Sequence, residues 1–161
     1  MSSFAADLDA SRLRVAAVVS RFNHLVSVRL LEGCRAELAR RGGDPADFDV
    51  VWVPGAFELP LAARALADSG RYDCLVTLGV VIRGGTPHFD FVCRGVTDGV
   101  QAVMRDTGVP VAFGVLTTDD LEQALERAGG VHGNKGAEAA AVAIEMARLL
   151  PQLGKGPGGK R

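Results

Sequence analysis

Four short apolar segments, each rich in valine, recur along the chain and restrict its fold more than any other feature. They occupy residues 14–20, 49–53, 74–81 and 109–115 and read RVAAVVS, DVVWV, CLVTLGVV and VPVAFGV. Segments that are apolar on both faces are typical of parallel strands covered on both sides. We therefore expect a buried parallel sheet.

Amphipathic helical patterns separate and follow these strands. Helices are predicted over about residues 23–41, 58–69, 86–107, 119–128 and 134–150. Asn23 and Thr86 are suitable N-caps, Asp119 with Glu122 fits a capping box, and Pro151 should stop the last helix. Alternating strands and helices predict the α/β class, with three α/β/α layers and strand order 2-1-3-4.

The length of the chain and its composition favour one domain. The 161 residues carry a net charge of −1. Residues 1–11 are interpreted as an N-terminal arm, residues 12–150 as the domain and residues 151–161 as a disordered basic tail.

Several classes of protein are disfavoured by the same composition. With 18 basic and 19 acidic residues, no basic stripe indicates nucleic-acid binding. Cys34, Cys74 and Cys93 are odd in number and widely spaced, which argues against a disulfide framework or a metal site. Without a signal peptide or an apolar stretch of about 20 residues, we expect a soluble cytoplasmic protein that does not bind membranes.

Ligands of such sheets bind beyond the carboxyl ends of the strands. After the third strand, residues 84–88 read GGTPH, and we call them the anion site. Gly84 and Gly85 allow close backbone approach, and a helix that starts here would present free N–H groups to an anion. A plain strand-to-helix turn would explain the glycines and the cap, but it needs neither Arg83 nor His88. Histidine suits proton transfer near neutral pH.

Other residues near the strand ends are ambiguous from the sequence alone. Phe22 and Phe57 each follow a strand and could form a platform for a planar ring, or could pack in the core. Glu58 and Asn23 could serve only their helix starts, and Phe113 could be a core residue.

Two cations lie far along the chain from the anion site. Arg127 falls at the predicted end of the fourth helix, where its charge could simply complement the helix dipole. Lys135 and Glu138 start the fifth helix. Their sequence positions give no reason to place them in the site.

Six segments together carry a resemblance to a known family. They are RFN (21–23), PGAFELP (54–60), LGVVIRGGTPHFDFVC (78–93), FGVLTT (113–118), ERAG (126–129) and GNKG (133–136). In order and spacing, the chain resembles the 6,7-dimethyl-8-ribityllumazine synthase family over roughly residues 12–150. The resemblance implies a transferase with a flavodoxin-like fold and no metal or organic cofactor. It would join 5-amino-6-(D-ribitylamino)uracil to 3,4-dihydroxy-2-butanone 4-phosphate, releasing phosphate and water, in the penultimate step of riboflavin synthesis.

The resemblance also implies roles for individual residues. His88 would be the general acid and base, and Gly85, Thr86 and Arg127 would bind the phosphate. The ribitylaminouracil would contact Phe22, Asn23, Ala56, Phe57, Glu58, Val80, Val81, Ile82, Phe113 and Lys135. Three of these residues, Phe113, Arg127 and Lys135, would come from a neighbouring subunit. Gly85, where relatives often have Ala or Gln, and Pro87, where some have Thr, depart from the pattern without threatening activity.

Assembly follows from the same resemblance. The family forms homo-oligomers, namely pentamers and in some members icosahedral capsids, and the resemblance implies a functional link to riboflavin synthase. The short link at residues 129–133 resembles that of the capsid-forming members, so we expect a capsid. Two alternatives stay open: a flavodoxin-like module that binds a flavin or nucleotide without turnover, and a purely structural role.

Overall fold

A four-stranded parallel sheet lies at the centre of the computed structural model, which describes residue 1 and residues 3–154. Its strands are β1 (Val15–Ser20), β2 (Phe48–Val53), β3 (Cys74–Ile82) and β4 (Val111–Thr118). They run in the order β2-β1-β3-β4, with every neighbouring pair parallel. The predicted strand order is confirmed.

In the described part of the chain, five α-helices connect or follow the strands. They are α1 (His24–Arg40), α2 (Leu59–Asp68), α3 (His88–Thr107), α4 (Leu121–Glu126) and α5 (Lys135–Leu153). Short 3-10 helices at Pro45–Asp47 and Ala56–Glu58 precede β2 and α2. A two-stranded hairpin, β5 (Ala128–Gly130) with β6 (Gly133–Asn134), joins α4 to α5.

The helices cover both faces of the sheet and so form the predicted α/β/α sandwich. On one face, α1 and α5 bury residues such as Leu30 and Ile144 against Leu78 of β3. On the other face, α2 and α3 bury Leu59 and Val96 among their neighbours. The three-layer, flavodoxin-like architecture is confirmed, because the doubly apolar strands need a helix on each side.

Two helix starts differ from the prediction by one or two residues. Helix α3 begins at His88 rather than Thr86, and the N-cap position is Pro87. Helix α4 is capped by Asp120 rather than by Asp119, and the predicted capping box of Asp119 with Glu122 does not form. Asp120 Oδ1 accepts from Gln123 N at 2.8 Å, while Gln123 Oε1 accepts from Asp119 N at 2.9 Å. Adjacent aspartates offer equivalent acceptors, so the sequence alone could not choose between them.

Strand β4 and helix α5 each end three residues later than predicted. Strand β4 continues to Thr118, which pairs with Ile82. Helix α5 runs through Pro151 to Leu153, so the prediction that Pro151 stops it is wrong. A proline in the last turn removes only one backbone donor. The predicted disordered tail begins inside this helix, and its residues 155–161 lie outside the described part of the chain.

Residues 8–10 lie against the rest of the domain, while most of the described residues before them are exposed. Residues 3–10 contain no helix or strand. Ala10 N donates to Arg41 O, and Arg148 Nε donates to Asp9 O, each at 2.8 Å. Along the residues that the structure describes, none of the helices has the length and apolar character needed to cross a membrane.

The GNKG segment contains two residues whose roles are structural. Asn134 Oδ1 caps α5 by accepting from Gly136 N at 2.8 Å and Ala137 N at 3.1 Å. Its Nδ2 donates to Arg29 O of α1 at 2.9 Å. Gly136 packs so closely on Leu30 that a Cβ atom would overlap the Leu30 carbonyl. The segment therefore joins α5 to α1.

Candidate active site

A cavity of about 660 Å³ opens at the carboxyl ends of β1, β2 and β3, and we call it the main cavity. It is lined by Phe22, Asn23, Gly55, Ala56, Phe57, Glu58, Val80, Val81, Ile82, Gly84, Thr86, His88, Phe89, Phe91 and Val92. This volume suits a small organic ligand. The structure thus brings together residues that follow three of the four strands.

The loops after β1 and β2 are joined by backbone hydrogen bonds. Arg21 N donates to Val53 O at 2.8 Å, and Phe22 N donates to Pro54 O at 3.0 Å. These bonds place Phe22 beside the segment that carries Phe57. The two side chains are 71% and 61% exposed, so the alternative that they are core residues is wrong.

Asn23 adopts an unusual backbone conformation for a helix start. Its φ of 58° lies in the left-handed region, which asparagine tolerates better than most residues. Its side chain makes no capping hydrogen bond. Helix capping therefore does not explain this side chain, which lines the main cavity instead.

Glu58 has both a structural contact and a place in the cavity wall. Its Oε2 accepts a hydrogen bond from Gly55 N at 2.9 Å, which braces the loop after β2. This bond belongs to the 3-10 turn before α2, and among the described residues the Glu58 side chain makes no capping hydrogen bond to α2 itself. The other carboxyl oxygen makes no hydrogen bond among the described residues.

Helix α3 contributes three wall residues that the sequence analysis missed: Phe89, Phe91 and Val92. A pair of glycines four residues apart could have indicated the contact between α3 and the loop after β2. A Cβ atom on Gly95 would meet the Phe57 ring, and one on Gly99 would meet Pro60. Glycines at this spacing share one helix face and allow another segment to approach closely.

The anion site lies at one end of the main cavity. In the described part of the chain, no hydrogen bond uses the N–H groups of Gly84, Gly85 or Thr86. His88 N lies 3.5 Å from Thr86 Oγ1, and the His88 side chain is exposed. Unpaired N–H groups at the start of a long helix attract anions. Gly85 is exposed next to the cavity but is not among its lining residues.

Arg83 is not a free cation beside the anion site. Its Nε donates to Asp119 Oδ1 at 2.9 Å, and its Nη1 lies 3.7 Å from Asp90 Oδ1. Its guanidinium carbon lies 4.2 Å from the centroid of the Phe89 ring. The Arg83 side chain, which a plain strand-to-helix turn would not need, therefore joins the end of β4 to the first turn of α3.

A second, smaller cavity of about 230 Å³ lies at the open edge of the sheet, and we call it the edge cavity. It is lined by Phe113, Gly114, Val115, Leu116, Thr117, Thr118, Arg127 and Lys135. It shares no lining residue with the main cavity and is smaller than typical ligand sites. Within one protomer, the predicted site residues thus form two separate groups.

The edge-cavity side chains have partners of their own. Arg127 Nη1 donates to Gln123 O at 3.0 Å, and Lys135 Nζ donates to Glu138 Oε2 at 2.6 Å. Phe113 lies within β4 rather than at its end, and its side chain is 43% exposed at the sheet edge. The alternative that Phe113 is a core residue is therefore wrong.

Among the described residues, no group of three His, Cys, Asp or Glu side chains could hold a metal ion. Burial raises the pKa of the Cys34 and Cys74 thiols to about 12. Both thiols therefore stay protonated and unreactive near neutral pH.

These features define a class of protein: a three-layer α/β/α domain with an open small-molecule site at the carboxyl ends of its strands. The wall of this site combines exposed aromatic rings with free N–H groups at a helix start. In a comparison with known protein families, residues 12–151 match 6,7-dimethyl-8-ribityllumazine synthase. The chain belongs to the 6,7-dimethyl-8-ribityllumazine synthase family, whose members are transferases of riboflavin biosynthesis that act on small molecules and form oligomers.

Proposed function

We propose that this protein is itself a lumazine synthase. It condenses 5-amino-6-(D-ribitylamino)uracil with 3,4-dihydroxy-2-butanone 4-phosphate and releases phosphate and water. The observation that supports this most strongly is the main cavity, because its lining combines exposed aromatic rings with unpaired N–H groups near His88. A planar pyrimidine and a phosphate ester need these two kinds of surface.

The pyrimidine and its ribityl chain occupy the aromatic part of the main cavity. Phe22 stacks on the ring, which an exposed phenyl face favours. Ala56, Phe57 and Glu58 line the ribityl chain, and the free oxygen of Glu58 accepts a hydrogen bond from a hydroxyl of that chain. The backbone of residues 80–82 meets the uracil edge, and Asn23 supplies a further polar contact.

The phosphate occupies the anion site. Its oxygens accept hydrogen bonds from the N–H groups of Gly85 and Thr86, and Thr86 also offers its hydroxyl. His88, in the first turn of the same helix, moves protons between the amine, the carbonyl oxygen and solvent. Positioning of the two reactants supplies most of the acceleration, up to roughly 7–11 kcal/mol in favourable cases.

The edge cavity of a neighbouring subunit completes each site. Arg127 then supplies a bidentate cation for the phosphate, while Phe113 and Lys135 face the ribitylaminouracil. The assembly is a pentamer, and the short hairpin link at residues 129–133 favours capsids built from pentamers. Native mass spectrometry tests this assembly; a lone pentamer contradicts the capsid.

Turnover tests the proposal directly. The protein is mixed with both substrates while the lumazine chromophore and released phosphate are followed together. We expect the two products in equal amounts and neither product when one substrate is omitted. A protein that is purified with tightly bound flavin and forms no lumazine would support the flavin-binding alternative instead.

A further inference from the structure

Arg83 occupies the junction between the end of β4 and the start of α3. Its backbone N–H donates to Thr118 O at 2.9 Å, which extends the β3–β4 ladder by one bond. Its side chain pairs with Asp119 on one side and with Asp90 on the other. The guanidinium also lies over the ring of Phe89. One side chain thus holds the loop at residues 84–87 from both of its ends.

The loop has few other constraints. The N–H groups of Gly84, Gly85 and Thr86 are unpaired within the described chain, and nothing lies within 4 Å of where a Cβ atom on either glycine would be. Glycine has the largest backbone freedom of any residue. The contacts of Arg83 are therefore a main source of order for the N–H groups that face the anion site.

The positive charge of Arg83 has a second effect, which acts on the anion rather than on the loop. Asp90 and Asp119 are exposed carboxylates near a site that we propose binds phosphate. Arg83 holds a positive charge between them and so reduces their repulsion of an anion. Half-exposed ion pairs contribute little to folding stability, so a merely structural role would leave both stability and phosphate binding almost unchanged.

We propose that Arg83 is a positioning residue for phosphate binding, which it promotes by holding the loop at residues 84–87 through Asp119, Asp90 and Phe89. This inference rests on the proposed function of the anion site. Arg83 does not contact the phosphate, and its effect passes through the loop. The substrate class concerned is a phosphate monoester.

The chain offers a closely matched control for Arg83. Arg64 Nε lies 2.7 Å from Asp68 Oδ2, and its Nη1 lies 3.7 Å from Asp106 Oδ2 near the far end of α3. The side chains of Arg64 and Arg83 are 47% and 48% exposed. Arg64→Ala therefore removes an equivalent pair of ionic contacts away from the main cavity.

The test is titration of the assembled protein with inorganic phosphate, a measurement that needs no turnover. We expect Arg83→Ala to raise the dissociation constant of phosphate roughly ten-fold, since small misplacements of binding groups have effects of this order. Arg64→Ala should change it by less than about two-fold. In turnover, Arg83→Ala should raise KM for the butanone phosphate and leave KM for the ribitylaminouracil unchanged. Equal effects of the two alanine variants on phosphate binding would overturn the proposal.

A double-mutant cycle distinguishes positioning from direct contact. Asp119→Ala removes both a contact of Arg83 and a negative charge near the phosphate, so its effect is measured with and without Arg83. If Arg83 acts through Asp119, then Asp119→Ala is more harmful to phosphate binding in the wild type than in Arg83→Ala, where only the effect of the charge is left. Additive effects would show that Arg83 binds phosphate itself, which contradicts the proposal.

Arg83→Lys keeps the charge but loses the planar guanidinium group, so wild-type phosphate affinity in that variant would also overturn the proposal. If Arg83→Ala fails to fold, Arg83→Lys and Asp119→Ala decide the question. If the wild type binds phosphate but forms no lumazine, the proposed reaction is wrong. The phosphate titrations still test the role of Arg83 in that case.

Discussion

His88 stands at the first position of α3 with an exposed side chain. No hydrogen bond in the described part of the chain uses its imidazole. Because the side chain makes so few contacts, replacing it should cost little folding stability. A change in activity would therefore reflect its role in the reaction. His24 differs, because its ring lies 5.3 Å from that of Trp52, outside the main cavity.

We expect His88→Ala to lower kcat roughly 100-fold without abolishing activity, because general acid–base catalysis contributes about this much and positioning supplies the rest. Steady-state kinetics with both substrates, together with the thermal unfolding midpoint, measures the effect. His24→Ala should keep wild-type kcat. Complete loss of turnover in His88→Ala with substrate binding intact would contradict this division between positioning and proton transfer.

The buried thiol of Cys34 should make the unfolding free energy depend on pH in the alkaline range. Burial raises the pKa of Cys34 from 9.0 to about 12, so the folded chain keeps a proton that the unfolded chain loses. The stabilisation is therefore complete below pH 9.0 and is lost as pH rises towards about 12. We expect the unfolding free energy of Cys34→Ala to fall less steeply over this range than that of the parent. Parallel curves from denaturant titrations would show that the thiol is not the source.

At the scale of elements, strand and helix identities could be predicted, but several ends could not. Valine-rich runs that are apolar on both faces leave few alternatives to buried strands. Ends depend on weaker preferences: Asp119 and Asp120 are equally good caps, and Pro151 removes only one bond from the last turn of α5. The β5–β6 hairpin has too few residues to give any periodic pattern.

The close contact between α1 and α5 requires a glycine at position 136. Any side chain at Gly136 would overlap the backbone of Leu30. Gly136→Ala should lower the unfolding free energy by about 3 kcal/mol and the melting temperature by roughly 10 °C. Gly85→Ala is the matched control, because nothing lies within 4 Å of the added Cβ atom. An unchanged midpoint for Gly136→Ala in differential scanning calorimetry would refute this account of the GNKG segment.

At the scale of the whole molecule, the candidate site could be predicted only in part. The strand order brings the ends of β1, β2 and β3 together, so the rule for parallel sheets places Phe22, Phe57 and His88 at one cavity. Arg127 and Lys135 do not reach that cavity within one chain, and no pattern in a single sequence reveals a contact between subunits. Their assignment depends on the family, as does the capsid. Both stay predictions, as does the cytoplasmic location that was expected from the sequence.

The central claim is that the main cavity is half of an active site and that a neighbouring subunit supplies the edge cavity. Mixed assemblies test it most directly. Phe22→Asp damages only the main cavity, and Arg127→Ala damages only the edge cavity. Each variant alone should have little activity. When the two are refolded or expressed together in equal amounts, roughly a quarter of the interfaces combine two intact halves.

We therefore predict that lumazine formation in the mixed assemblies recovers to roughly a quarter of the wild-type rate. Variants that both carry main-cavity changes, such as Phe22→Asp with Thr86→Trp, should show no recovery when mixed. The measurement is the initial rate of lumazine formation, after native mass spectrometry has confirmed that the two chains are mixed. A confirmed mixed assembly without recovered activity would contradict the shared site and place Arg127 outside the reaction.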